Sequence, residues 1–328
     1  MRAAWYTETG PASEVIRVGR LDQPRPNRGE VLVRVHASGV NPSDTKKRSG
    51  WRGKEIEYPL IVPHHDGAGI IEDVGDSISR SRIGERVWMY NAQYGRAFGT
   101  AAEYVCLPSE QAVPLPEGVP SAEGACLGVP ASTAHFAVFA DGPVHGKTLL
   151  IAGGAGAVGH YAIQFAKWGG STVITTVSSE EKGEHARRAG ADYILNYRQE
   201  DVVANVTAIT SGNGVDRIVE LDFGANLAVN AAAIKPNGVI ASYSSTRVPE
   251  PVLPYYLLAY KGVTLRLVQA YILTPEARQS AIRDITACLR SKSLINAVGR
   301  QFSLEETAAA HEAVESGPLR GTAVIALS

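Results

Sequence analysis

The residues with the most legible chemistry are Gly153-Gly154-Ala155-Gly156-Ala157-Val158-Gly159. An apolar run, Leu149-Leu150-Ile151-Ala152, enters this turn, and a helical apolar pattern (Ala162, Ile163, Phe165, Ala166) leaves it. Gly154, Gly156 and Gly159 fit G-x-G-x-x-G. In a strand–turn–helix setting the first glycine permits the tight turn. The second lets backbone approach a pyrophosphate, and the third lets the helix pack close to the strand. The N–H groups and dipole at the helix start favour phosphate charge. Gly154, Gly156, Ala157, Val158 and Gly159 are therefore expected to hold a dinucleotide, with hydride transfer as the chemistry.

The tip of the following strand bears on which dinucleotide. An NAD site usually places a carboxylate there for the ribose hydroxyls, about 20 residues beyond the glycines. Here the strand ends Thr176-Val177-Ser178-Ser179, with Lys182, Arg187 and Arg188 beyond. Hydroxyl donors and a cation suit a 2′-phosphate, so NADP(H) is the expected cofactor. Glu180 and Glu181 argue the other way. Ser178 and Ser179 also read as caps of the next helix, a role compatible with the first.

Metal chemistry finds little support. Cys106, Cys126 and Cys288 are widely spaced and form no ligand cluster. His64-His65 lies on an extended segment, where neighbours point to opposite sides and do not readily share an ion. One histidine is expected to face solvent and the other to line a cleft. The metal expectation is none.

These residues need a scaffold. Up to about Pro120 the chain reads as β-rich, with strand patterns at Glu30–Ala37, Gly69–Gly75 and Ala101–Cys106. From about Ser121, strands at Thr148–Ala152, Thr172–Thr176, Tyr193–Asn196, Arg217–Glu220, Gly238–Ser242 and Val263–Leu267 alternate with helical patterns. That alternation predicts a doubly wound parallel sheet. After Pro275 a helix and a terminal strand, Thr322–Leu327, are expected to complete the first domain. The apolar stretch Pro254–Leu267, with Tyr255, Tyr256 and Tyr260, reads either as an edge buried between two copies or as ordinary core.

The 328 residues suffice for two domains. A formal net charge of −1 gives no basis for binding nucleic acid or an anionic membrane. No apolar run is long enough to span a bilayer. The start, Met1-Arg2-Ala3-Ala4-Trp5, lacks the apolar core of a signal peptide. With few possible disulfides, a reducing cytoplasm is the expected location.

Several segments together resemble the zinc-independent quinone oxidoreductases, the zeta-crystallin-like branch of the medium-chain dehydrogenase/reductase superfamily. They are Gly39-Val40-Asn41-Pro42-Ser43-Asp44-Thr45 with Arg48-Ser49-Gly50, Asp66-Gly67-Ala68-Gly69 with Val74-Gly75, Leu127-Gly128-Val129-Pro130 with Thr133-Ala134, Asn196-Tyr197, and Arg320-Gly321. The resemblance implies a GroES-like β-rich catalytic domain, here 1–122 with 268–328. A Rossmann domain follows at 123–267, with the active cleft between the two. It implies Asn41 and Thr133 near the nicotinamide and Ser178, Ser179, Lys182 and Tyr197 around the 2′-phosphate. Ser242, Ser244 and Ser245 would lie by the nicotinamide ribose, and Arg320 would join the cofactor site. The superfamily's catalytic zinc needs Cys, His and Cys; the corresponding positions are Asn41, His65 and about Val129. His65 is then available to orient a substrate oxygen. A tyrosine of the branch is replaced by Lys46, which either stabilises an oxyanion or points to water. Tyr90 and Tyr94 are further candidates for proton donation.

The combined expectation is an NADPH-dependent α/β oxidoreductase passing hydride to a quinone or related electron-poor carbonyl compound. Reduction of activated C=C bonds in enones or enals, and NADPH binding without catalysis, are the alternatives. A homodimer is expected from the resemblance.

Overall fold

The computed structural model describes every residue except 52, 54, 318 and 328. The chain divides into two compact units, Met1–Pro130 with Ile282–Ser328, and Ala131–Ala281. Residues 123–130 thus lie with the first unit, and 268–281 with the second.

The first segment carries β1 (Arg2–Trp5), α1 (Ala12–Val15), β2 (Arg17–Arg20), β3 (Glu30–Val40), α2 (Pro42–Ser49), β4 (Asp66–Val74), β5 (Arg86–Met89), β6 (Tyr104–Pro108), β7 (Ala112–Pro114) and α3 (Ser121–Gly124). The second unit carries α4 (Ser132–Phe139), β8 (Thr148–Ile151), α5 (Ala157–Trp168), β9 (Thr172–Val177), α6 (Glu180–Arg188), β10 (Tyr193–Asn196), α7 (Val202–Ile209), β11 (Val215–Glu220), α8 (Phe223–Ala233), β12 (Ile234–Ser242), α9 (Tyr255–Ala259) and β13 (Thr264–Leu267). The chain then runs through α10 (Pro275–Arg290), β14 (Val298–Ser303), α11 (Thr307–Ser316) and β15 (Thr322–Ala326).

In the first unit the long strand β3 is the hub. It pairs antiparallel with β4, β6 and the terminal β15, in a sheet ordered β14-β15-β3-β4-β5-β7 with β6 on β3. Val31, Val33, Val35, Ile71, Val87, Leu107 and Ile325 fill its core. The sequence pattern missed β14 and α11. Only Phe302 of β14 is fully buried, because it is an edge strand with a single neighbour, and so it shows no apolar alternation.

The second unit is a six-stranded parallel sheet ordered β10-β9-β8-β11-β12-β13. The order reverses between β8 and β11, the point at which open α/β sheets bind ligands outside the carboxyl ends of their strands. Helix α5 turns Tyr161, Ala162, Ile163, Phe165 and Ala166 inward. Phe165 meets the His135 and Phe139 rings edge-on at 5.6 and 6.5 Å, which fixes α5 against α4. The doubly wound sheet and the β-rich unit are those the resemblance implies.

Candidate functional site

The glycine turn divides its labour differently from the expected pattern. Left-handed backbone falls on Gly153 (φ +69°), ahead of the motif. The doubled Gly153-Gly154 is the signal that could have identified it. Gly154 is needed for space: a Cβ there would lie 2.3 Å from Thr175 Oγ1 of β9. Gly159 sits against the turn itself, where a Cβ would lie 2.2 Å from the Gly153 carbonyl oxygen. Gly156 differs from both. It is exposed, has ordinary extended backbone (φ −76°, ψ 162°), and a Cβ would meet only the Gly153 oxygen at 3.4 Å. Nothing within the protein demands glycine there, which leaves close approach of a ligand as its physical reason.

Gly156 is also the N-cap of α5, and no side chain caps the helix. The N–H groups of Ala157, Val158 and Gly159 lie in the first turn, where no intrahelical acceptor exists. Twelve residues of aligned peptide dipole stand behind them. Such a helix start accommodates an anion, and a pyrophosphate fits it.

The tips of β9 and β10 converge. Tyr197 N donates to Val177 O at 3.1 Å, which brings Tyr197 beside Ser178. Ser179 caps α6 by accepting from Lys182 N at 3.3 Å. Its hydroxyl hydrogen is left to donate elsewhere, so capping does not use up the Ser179 side chain. Lys182 stands one turn along, half-buried, while Tyr197 is half exposed.

Beyond β12 the chain folds back on the start of α8. Ser245 Oγ accepts from Gly224 N at 2.9 Å and donates to Val248 O. Ser242 Oγ donates to Ser244 O at 3.2 Å, and Ser244 and Thr246 share a hydroxyl bond of 3.0 Å. These three serines are thus engaged in shaping their own loop. Asp222, absent from the sequence-based set, clamps it: Oδ1 accepts from Thr246 N and Arg247 N, and Oδ2 from Arg247 Nε. Thr133 lies buried on α4 in this unit.

In the first unit Asn41 ends β3 and caps α2. Its backbone N–H donates to Asp44 Oδ2 at 2.7 Å, and its amide Nδ2 donates to Asp66 Oδ2 at 2.8 Å. The same Asp66 oxygen accepts from Val129 N at 2.8 Å. Asp66 thereby joins the α2 start, the β4 start and the turn at Leu127–Ala131. Gly128 is required by this arrangement, since a Cβ would lie 2.1 Å from Asp66 Oδ1. Lys46 Nζ lies over the half-exposed Trp51 indole, 5.1 Å from the ring centre. Arg320 is half-buried in this unit, apart in sequence and unit from Lys182 and Tyr197.

The histidine pair corrects one expectation: neither ring faces solvent. His64 is fully buried and His65 nearly so. They do diverge. His64, with φ +81°, shares 2.8 Å and 2.9 Å contacts with Ser38 Oγ and His311 Nε2. His65 Nε2 lies 3.7 Å from Asp44 Oδ1. Burial pushes charging of both His64 and His65 down to about 3, so both are neutral at pH 7. Burial, with Asp66 nearby, holds the Asp44 carboxyl well above the usual range. Of the tyrosines, Tyr90 is buried and its hydroxyl donates to Glu110 O at 3.1 Å, while Tyr94 is half exposed. Among the described residues no cluster of three or more His, Cys, Asp or Glu could hold a metal ion.

Comparisons with known proteins bear on the family and the fold. Residues 27–117 match the alcohol dehydrogenase GroES-like domain, and residues 157–287 the zinc-binding dehydrogenase family. Rattus norvegicus quinone oxidoreductase is 30% identical over 314 residues, spanning 95% of this chain and 93% of its own length. A 2-haloacrylate reductase from a Burkholderia species is 29% identical over 326 residues, spanning 95% and 94%. A mycobacterial protein solved with NADPH superposes with a TM-score of 0.88 at 29% identity, covering 100% of both chains. The chain belongs to the quinone oxidoreductase branch of the medium-chain dehydrogenase/reductase superfamily.

Proposed function

We propose that this protein is an NADPH-dependent reductase that passes hydride to a quinone or related electron-poor carbonyl compound, without zinc. The observation that carries the cofactor assignment is the open helix start at Gly156, beside a strand tip that offers Ser178, Ser179 and Lys182 in place of a carboxylate. When bound, the nicotinamide supplies the hydride. The chain's own contribution is to hold the pyrophosphate at Gly154, Gly156, Ala157, Val158 and Gly159, and the 2′-phosphate at Ser179, Lys182 and Tyr197. Arg320, Thr133, Ser242, Ser244 and Ser245 are assigned to the same cofactor by family resemblance. The relatives support the reading: the mycobacterial neighbour was solved with NADPH, and the rat relative is a quinone oxidoreductase.

The zinc-free reading rests on residue types. Asn41 presents an amide already donated to Asp66, and Val129 offers no ligating side chain. His65 alone does not make a catalytic zinc site. Quinone reduction suits such a site, because hydride uptake yields a hydroquinone anion that solvent can protonate. Lys46 and His65 are the groups assigned to the developing oxyanion, and Asn41, locked by Asp66, to the nicotinamide side. C=C reduction is the second reading, favoured by the 2-haloacrylate reductase relative and by the Asp44 carboxyl beside His65, which burial holds well above the usual carboxylate range. Steady NADPH oxidation across a panel of quinones, enones and 2-haloacrylates separates the two. Turnover with none of them would leave only nucleotide binding.

Two further assignments accompany this reading. The exposed Tyr255 and Tyr256 of α9, with Tyr260 just after it, before the edge strand β13, support a homodimer through that edge, with sedimentation as the test. The three free cysteines are compatible with a reducing cytoplasm. No helix among the described residues is long and apolar enough to cross a membrane.

A further inference from the structure

Arg247 is held in an unusual way for an exposed side chain. About two thirds of it is open to solvent, yet its Nε is fixed at 2.5 Å on the Oδ2 of Asp222, whose own side chain is only 8% exposed. Asp222 is fixed in turn, because its other oxygen accepts from the backbone N–H groups of Thr246 and Arg247 at 2.9 and 3.1 Å. A guanidinium has five N–H donors. The Nε–H is used, and among the described residues neither terminal amino group has a partner. The result is an immobilised arginine whose bidentate edge faces outward, the geometry that suits a phosphate.

Its place in the sheet says where that edge lies. Asp222 follows β11 and Tyr197 follows β10. Three strand spacings separate them, about 14 Å at roughly 4.8 Å per strand, with β8 and β9 between. Arg247 and Tyr197 nevertheless act on each other electrostatically. The Asp222 end of this span stands against the glycine turn, where a Cβ at Gly153 would lie 2.6 Å from Leu221 Cδ2, and β9, ending in Ser178-Ser179, is the next strand beyond β8. Asp222 and Glu220 are the carboxylates on this side, and Glu180, Glu181 and Glu184, the last paired with Arg187, those on α6. Glu220 is turned inward onto Asp222 N, Asn226 and Asn230.

We propose that Arg247, latched by Asp222, is a cofactor-selecting residue that binds the 2′-phosphate of the dinucleotide opposite Lys182. This rests on the NADP(H) reading above. The test measures binding of 2′,5′-ADP and 5′-AMP by calorimetry to the wild-type protein and to Arg247→Gln, with thermal melts to verify folding. The expected result is a wild-type preference for 2′,5′-ADP, and about a tenfold loss of that ligand in Arg247→Gln with 5′-AMP changed less than twofold. A wild type that binds the two equally would overturn the NADP(H) reading and this inference with it. A wild-type preference that Arg247→Gln leaves intact, or an equal loss of both ligands, would overturn the role of Arg247 alone.

Discussion

Gly156 and Gly159 differ by three positions, and the structure predicts opposite consequences for replacing them. At Gly156 the backbone is already in an extended region open to any residue, and a methyl group would touch only the Gly153 oxygen at ordinary contact distance. Alanine is a poorer N-cap than glycine by about 0.5–1 kcal/mol. The reduced freedom of the unfolded chain returns about 0.4–1 kcal/mol. Gly156→Ala should therefore melt within about 2 °C of wild type. At Gly159 the added carbon would lie 2.2 Å from the Gly153 oxygen and 2.9 Å from its carbonyl carbon, both backbone atoms of a tight turn. Overpacking of this kind costs about 1–3 kcal/mol, against about 1 kcal/mol gained in helix propensity. Gly159→Ala should melt several degrees lower, at about 2–4 °C per kcal/mol for a unit of this size. Nucleotide binding should invert the ranking. Gly156→Ala, and more so Gly156→Val, places carbon where the pyrophosphate approaches, and NADPH affinity should fall at least tenfold, about 1.4 kcal/mol. Differential scanning calorimetry and NADPH titration on the same samples provide both readings. A Gly156→Val protein that melts like wild type and binds NADPH undiminished would refute the assignment of this helix start to the nucleotide.

Lys182→Ala should weaken NADPH about tenfold or more and leave NADH nearly unchanged, read as the ratio of kcat/KM for the two cofactors. Gly128→Ala drives a carbon into Asp66 Oδ1, so it should lower the melting temperature by several degrees and also reduce turnover, since Asp66 holds Asn41; unchanged activity would show that the Asn41 position is not used. Acidification should destabilise the fold from about pH 6.5 downward. His64, His65 and His311 are all held neutral by burial, so the unfolded chain takes up protons that the folded chain refuses, about 1.4 kcal/mol per pH unit for each histidine. Asp44, whose carboxyl is raised by burial, works against this slope from its raised value down to about 3.9, as one group against three. A melting temperature equal at pH 7.5 and pH 5 would contradict the burial of these rings. Activity should survive dialysis against a strong chelator; loss restored by added zinc would refute the zinc-free reading.

The parallel sheet was legible in the sequence because strands buried on both faces are short apolar runs separated by helical spacing, as at Leu149–Ile151 and Val173–Thr175. The glycine turn was legible because glycine is required where backbone crowds backbone, and Ser179 because a cap and a phosphate donor call for the same hydroxyl. Other features depend on contacts between residues distant in the chain. Asp66 joins Asn41 and Val129 across 25 and 63 positions, and no periodicity encodes such a junction. His64 was expected to share the fate of any alternating pair, but its partner His311 stands 247 residues away on α11, and that packing removed both rings from water. No sequence pattern singles out Arg247; the return of the β12 loop sets it on Asp222. Local geometry follows from the chemistry of neighbouring residues and was therefore readable in advance. Burial, and the protonation and hydrogen bonding that burial enforces, exist only once the distant segments have packed.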